Sequence, residues 1–413
     1  MGAINRGRTR IIAPSRAADC RSTHRFLSAL GYDIRDAVGG WEMSGGARGD
    51  RNGEIALDCG NSGTTARLGL GFLTGESGRF SVTGDASLRA RPMKRVADPL
   101  GRLGARIETA AGRLPALVTA DGGLTGSLEQ TIDAASAQVH AALVIAAIRS
   151  TDGITVRRTA PMRDHTLRML AAFGAFRPED SDGAIDRIGP VEIDRDIDIV
   201  VPGDISSASF LVCAALLVPG SSLTIEGVGL NPSRITFLRA LRTMGADVEW
   251  SVFSDDGHEP HGTIVVRHGG ELRGIDLSDA GVEAGVPISE MIDELPLLAL
   301  MACTASGTTT VRGAGELRVK ESDRIAATLG LLGALGLTSI EHEDGFAMCG
   351  PQRIRGGGAI DHHGDHRLCM LAAIAALGAE EAVTIPDPET AAISYPGFWE
   401  ELARLSGERN RRR

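Results

Sequence analysis

The chain is short of lysine, of paired cysteine and of long apolar runs, and each shortage excludes something. Of 43 basic side chains only Lys94 and Lys320 are lysines, the rest being arginines. Acids outnumber bases 53 to 43, a formal charge of −10, so the composition lacks the basic excess that a nucleic-acid or anionic-membrane partner demands. Cys20, Cys59, Cys213, Cys303, Cys349 and Cys369 lie far apart with no C-x-x-C pair. That spacing points away from a zinc site and from a disulfide framework, and toward a reducing cytosol. No apolar run approaches the ~20 residues a membrane-spanning helix needs; Phe210–Val218 already ends at a proline. The N-terminus carries arginines without an apolar core, so no secretory signal is read.

What is present is globular composition and a repeat. At 413 residues with 43% hydrophobic and 23% charged side chains, the chain is long enough for two domains. A helix ending in an apolar residue or serine and then glycine recurs at Gly31, Gly104, Gly174, Gly245, Gly336 and, more loosely, Gly407, with spacings of 73, 70, 71, 91 and 71 residues. All six glycines suit a helix C-cap. In phase with this series runs a second, in which a small or polar cap precedes a helix apolar almost all round, at Asn61, Ser136, Asp204, Met291 and Asp365. Such helices belong inside a domain. The pattern predicts an α/β protein with several small sheets packed on helices. Six units divide as three plus three, with the join near Val201-Pro202-Gly203: domains 1–201 and 202–413. The long step between Gly245 and Gly336 is assigned to a polar insertion at Ser254–Gly262.

Candidate chemistry sits at the caps of the apolar helices, because a helix N-terminus offers N–H groups and partial positive charge to an anion. Taken singly, an Asn, Ser or Asp there is equally well explained as an ordinary cap. Arg67, Arg91, Arg324 and Arg367 suit carboxylate and phosphate oxygens, although in a chain so rich in arginine most such residues are solvated surface charges. Lys320 stands out by rarity. Glu316 lies four residues before it, Glu321 beside it and Arg324 four after, a pattern that fits either a functional ammonium or a solvated ion-pair ladder. Asp293 and Glu294 open an otherwise apolar helix; a carboxylate there is a candidate general base, and capping explains it nearly as well.

LDCGNSGTTARL, GDASLRARPM, SAQVHAAL, PGDISSASF, MIDELPLLA, ELRVKESDRI and GDHR, in that order from about Asp19 to Pro396, resemble the motif set of the 5-enolpyruvylshikimate-3-phosphate synthase family. The resemblance implies a two-domain enolpyruvyl transferase fold with three repeated β/α units per domain, closing on its substrates. It implies transfer of the enolpyruvyl group of phosphoenolpyruvate to shikimate 3-phosphate by a cytoplasmic monomer that needs no metal or organic cofactor. Asn61, Gly63, Thr64, Arg91, Arg324 and Arg367 would hold phosphoenolpyruvate, with charge from Lys320. Ser136, Ala137, Gln138 and Arg163 would bind shikimate 3-phosphate, Gln138 facing both substrates, while Asp19, Arg67 and Asp204 organise these groups from behind. Asp293 would take the proton of the 5-hydroxyl, and Glu321 would protonate the phosphoenolpyruvate methylene.

Three positions depart from the family pattern: Met162 where serine is frequent, Glu316 where an asparagine binds the ring, and Ile393 where some members carry lysine. The related enolpyruvyl transferase acting on UDP-N-acetylglucosamine is disfavoured because its loop cysteine has no matching context here. A catalytically dead binding or scaffold protein is opposed by the intact Asp293, Lys320 and Glu321 and favoured by the N-terminus.

The repeat supplies six outer helices and only five apolar ones; its period places a sixth about ten residues before Met1, where the resembling family has a K-S-x-x-x-R motif that binds both substrates. The expectation is a first unit that is truncated, a natural start about 20–30 residues earlier, and a chain that as written is unstable or nearly inactive. Comparing the 413-residue chain with a version extended by its upstream reading frame tests this. Equal turnover and equal monodispersity would overturn it.

Overall fold

Five of the six repeat glycines adopt left-handed backbone, with φ of +86° at Gly31, +93° at Gly104, +71° at Gly174, +97° at Gly245 and +85° at Gly336. Each follows a helix and lets its last carbonyls be satisfied as the chain turns away. Gly407 differs, because the last helix runs through it to Asn410. The computed structural model describes residues 1–46, 53–125, 128–132, 136–159, 162–254, 259–278 and 287–410. Met1–Val201 forms one compact unit, and nearly everything from Pro202 onward forms a second.

The first unit contains α1 (Ala18–Ala29), α2 (Gly63–Leu73), α3 (Ala86–Ala90), α4 (Lys94–Arg102), α5 (Ala137–Ala147) and α6 (His165–Ala172). The second contains α7 (Ile205–Leu217), α8 (Thr236–Thr243), α9 (Leu295–Thr304), α10 (Arg324–Ala334), α11 (His366–Ala376) and α12 (Phe398–Asn410). Among the described residues, five helices are buried almost all round: α2, α5, α7, α9 and α11. Outer helices are two-faced instead. In α8, Phe237, Leu238, Ala240 and Leu241 are buried while Arg239 and Arg242 face water, the pattern of a helix with one apolar stripe.

Every buried helix is the crossover between two parallel strands or bridges, a connection that parallel pairing requires. Glu54–Asp58 pairs parallel with Ser77–Thr83 across α2, Leu128–Ile132 with Ile154–Arg158 across α5, and Asp276–Leu277 with Gly307–Val311 across α9. Gly203 bridges Val228 across α7, and Ala359 bridges Thr384 across α11. Antiparallel strands complete small sheets. In Arg113–Asp121 the residues Leu114, Ala116, Val118 and Ala120 alternate inward, as a half-covered strand dictates. In the second unit α7, α9 and α11 pack against one another; in the first, α2 packs on α5. Each unit has its own apolar core.

The structure shifts several boundaries. Ser62, not Asn61, caps α2, its hydroxyl accepting from Thr65 N at 3.2 Å. α9 begins at Leu295, after a 3-10 turn at Ile288–Glu290, so Met291–Asp293 lies before the helix. The Glu316–Arg324 stretch is not one helix: a 3-10 turn at Gly315–Val319 gives way to extended backbone at Lys320 before α10 starts at Arg324. The polar insertion joins the hairpin strands Asp247–Ser254 and His261–Arg267, with 255–258 outside the described residues.

α2 and α5 approach so closely that a Cβ added to Gly71 would lie 2.2 Å from the Ala142 carbonyl oxygen. Gly71→Ala should therefore cost ~3 kcal/mol by overpacking. Gly101→Ala on α4, where a Cβ meets nothing within 4 Å, should gain a few tenths to ~1 kcal/mol. Urea unfolding of the two variants checks the contrast; equal effects would show that the approach is not tight.

Candidate active site

In the first unit, polar groups gather where α2 and α5 begin. The Asp58 carboxylate accepts from Gly60 N at 2.8 Å and shapes the turn leading to Ser62. With Ser62 taking the capping bond, Asn61 is left to bridge sideways: its Nδ2 donates to Asp85 at 2.7 Å, and its Oδ1 accepts from Arg91 Nη2 at 2.6 Å. Arg67, one turn into α2, donates through Nη1 to Gln138 Oε1 at 2.7 Å, and Gln138 Nε2 donates to Thr64 at 3.0 Å. Both arginines are buried, at 5% and 7% exposure, so their charge is little screened. They flank Gly63, where an added Cβ would lie 2.8 Å from Arg67 Nη1 and 3.3 Å from Arg91 Nη1. Any side chain there displaces a guanidinium.

Ser136 stands at the N-cap of α5, but its hydroxyl makes no bond to the first turn of that helix; Ala137 and Gln138 follow as its first residues. Asp19, on α1, supports α2 through its main-chain carbonyl, which accepts from the Thr65 hydroxyl at 3.4 Å. Arg163 lies half-buried just before α6. Met162 is buried.

In the second unit the hub is Arg324, only 1% exposed. Asp365 takes it bidentately, at 2.8 Å from Nε and 3.3 Å from Nη2; Glu321 holds Nη2, and Asp293 lies 3.5 Å from Nη1. Burial by itself would lower the guanidinium pKa, but these three carboxylates outweigh it and raise it. Asp365 also caps α11, accepting from Arg367 N at 2.9 Å, and receives the Ser322 hydroxyl at 3.1 Å. Burial works to raise its pKa; Arg324 overrides that and holds it down at about 2. Lys320 sits between Asp293 at 3.6 Å and Glu316 at 3.3 Å, and Arg367 donates to the main-chain oxygen of Asp293 at 3.4 Å. Asp293 therefore faces two cations with its carboxylate and a third with its backbone.

Lys320, Glu316, Glu321, Arg324, Arg367 and Asp293 thus come together, although they are drawn from three separate segments. Asp204 caps α7 through Ser206 N and Ser207 N, both at 3.1 Å. Ile393 closes a 3-10 turn at Pro388–Ile393. In the sequence Asp365 stands as one more cap of an apolar helix; its nearness to Arg367 was the available signal. The sequence leaves Glu294 open between a candidate base and an ordinary first-turn acid. Its side chain is buried at 1% exposure and paired with Arg234 at 3.1 Å, a partner 60 residues away that no local pattern reveals.

The arrangement is one of convergent cations around a few carboxylates, suited to gripping anions and moving a proton. A sequence model of EPSP synthase (3-phosphoshikimate 1-carboxyvinyltransferase) matches residues 1–402. The chain is 42% identical to the 3-phosphoshikimate 1-carboxyvinyltransferase of Thermus thermophilus, covering 98% of this chain and 92% of that one. It is 37% identical to that of Bacillus subtilis, covering 98% and 93%. The solved EPSP synthase from Acinetobacter baumannii superimposes with a TM-score of 0.82 at 34% identity, covering 98% of this chain and 91% of that one. The enolpyruvyl transferase NikO from Streptomyces tendae, at 17% identity, a TM-score of 0.74 and coverage of 98% and 90%, shares the fold.

His366, beside this hub, is buried; loss of hydration, then Arg367, pulls its pKa down to about 4. The unfolded chain protonates it near 6.5, so stability present above pH 6.5 is lost as pH falls toward 4, by up to ~3 kcal/mol. Asp365 extends the loss from about pH 3.8 toward 2. Urea unfolding between about pH 7 and 4.5 should show His366→Gln with a visibly flatter stability curve than the parent; an unchanged slope would mean the imidazole charges in the folded state.

Proposed function

The chain belongs to the EPSP synthase family, and from that premise we propose how its own residues carry the reaction. It transfers the enolpyruvyl group of phosphoenolpyruvate to the 5-hydroxyl of shikimate 3-phosphate and releases phosphate, a step in aromatic amino acid biosynthesis. Both substrates are polyanions, and positioning them together against their repulsion is the main physical demand.

In the first unit, Arg67 and Arg91 with Asn61 and Thr64 supply buried positive charge and donors at the head of α2. Gln138, bonded to both Arg67 and Thr64, links that anion site to Ser136 and Ala137, which take shikimate 3-phosphate with Arg163. Gly63 leaves room between the two guanidiniums. In the second unit, Lys320, Arg324 and Arg367 receive the carboxylate and phosphate of phosphoenolpyruvate, Glu316 steadies Lys320, and Asp204 fixes the head of α7.

Asp293 is the base, and the observation that carries this is its place: a carboxylate 13% exposed, held 3.5–3.6 Å from Arg324 and Lys320 at the mouth of an apolar helix. It takes the hydroxyl proton as that oxygen attacks C2 of phosphoenolpyruvate. The π pair of the double bond takes a proton from Glu321 to give a methyl group and a tetrahedral intermediate. Phosphate then leaves with its C–O electron pair and takes the proton held by Asp293, while a methyl proton returns to Glu321, restoring the double bond.

We read the enzyme as a cytoplasmic monomer without a nucleic-acid partner. The acidic charge supports the absence of a nucleic-acid partner, and among the described residues no helix is long and apolar enough to cross a membrane.

Asp293→Asn should slow phosphate release from the two substrates by about 100-fold or more while leaving the folded state intact. Near-normal turnover in that variant would place the base elsewhere.

A further inference from the structure

Glu294 occupies the N-cap position of α9 and yet does not cap it. Its carboxylate turns instead toward α7 and toward the turn before α8. The Ser206 hydroxyl donates to Glu294 Oε1, while Arg234 Nη2 donates to Ser206 Oγ at 2.6 Å and to Glu294 Oε1 at 3.1 Å. Arg234 Nη1 donates to the main-chain oxygen of Glu290 at 3.0 Å. Both charged side chains are out of water, at 1% and 7% exposure, and Glu294 Oε2 is buried with no hydrogen-bond partner among the described residues.

Stability is a poor reason for such a pair. Desolvating two charges roughly cancels their attraction, and an unmet carboxylate oxygen adds to the cost, so apolar residues of the same shape would serve as well or better. What the pair does achieve is local. Glu290 and Glu294 bracket the turn that carries Asp293, and bonds to both pin that turn to Arg234 and Ser206.

We propose that the Arg234–Ser206–Glu294 relay is a positioning device for Asp293, fixing its turn and neutralising the buried guanidinium behind it so that the carboxylate remains a usable base. This rests on Asp293 being the base. Among the described residues, cations and acids are interleaved around Asp293. Lys320 and Arg324 face its carboxylate, each with its own acid, Glu316 and Glu321; Arg367 meets its backbone, and Asp365 holds Arg324. His366 is neutral at about pH 7, its pKa lying near 4. Arg234 also acts electrostatically on Asp293 and Asp204, not on Glu294 alone. Removing Glu294 therefore adds an uncompensated cation to the surroundings of Asp293; removing Arg234 adds an uncompensated anion.

The test reads the Asp293 carboxyl directly, by 13C NMR titration of the chain labelled at aspartate carboxyls, with the Asp293 resonance identified by its loss in Asp293→Asn. Glu294→Gln should lower the Asp293 midpoint by about half a pH unit or more, Arg234→Met should raise it by a similar amount, and the double variant should return it to the parent value. A purely structural pair would not move the midpoint in opposite directions. Shifts of the same sign, or none, would overturn the proposal. If either single variant fails to fold, the double variant decides: a parental midpoint supports the relay, and a displacement of about half a unit or more sinks it. Because the titration needs no turnover, a failure of Asp293 as the base, seen as fast turnover in Asp293→Asn, is distinguishable from a failure of the relay.

Discussion

Everything in the second unit's polar centre depends on one buried guanidinium. Arg324, at 1% exposure, has given up its hydration, and a charge in that position persists only when paired and fully bonded. Asp365 supplies the bidentate partner, and in doing so ties the first turn of α10 to the first turn of α11, since the same carboxylate caps α11. Glu321 and Asp293 meet the rest of the guanidinium. Two helix starts and the turn before a third are thus held together by one side chain. The acids proposed for the reaction thus contact the cation proposed for substrate binding.

The fold makes such a centre available by repetition. Each buried helix is the crossover between parallel strands or bridges, and side-chain bonds join helix starts within a unit: Gln138 to Thr64, Ser206 to Glu294 and Arg324 to Asp365. A helix start concentrates unsatisfied N–H groups and partial positive charge. Apolar faces on all sides of α7, α9 and α11 make their mutual packing favourable. Polar side chains then have only the ends of the helices to occupy. In the first unit the same logic brings Thr64 on α2 against Gln138 on α5, and the glycine that lets the two helices approach, Gly71, lies further along α2.

Arg234 and Glu294 show the opposite case, an expensive buried pair at no helix cap. Its residues come from the turn before α8 and the start of α9, with Ser206 of α7 between them. Three elements converge on the peptide that carries Asp293, and a role in holding that peptide and its charge accounts for a feature that stability does not.

Helix ends, apolar helices and their period were legible in the sequence because they are local: a C-cap glycine, an N-cap serine or aspartate and an apolar stripe are each specified within a few residues. From these alone the α/β class, the repeated unit and the residues at the helix starts could be read. Even there, single positions were set by geometry the pattern does not encode: Ser62 took the cap from Asn61, freeing Asn61 for Arg91, and Gly407 stayed inside a helix. Which acid meets which base was decided by the tertiary structure. Glu316 and Lys320 pair across a 3-10 turn and not along a helix, Asp365 reaches Arg324 from 41 residues away, and Glu294 reaches Arg234 from 60. Charge pairing between distant segments has no periodicity along the chain. It depends on distance and burial, and both exist only once the apolar helices have packed.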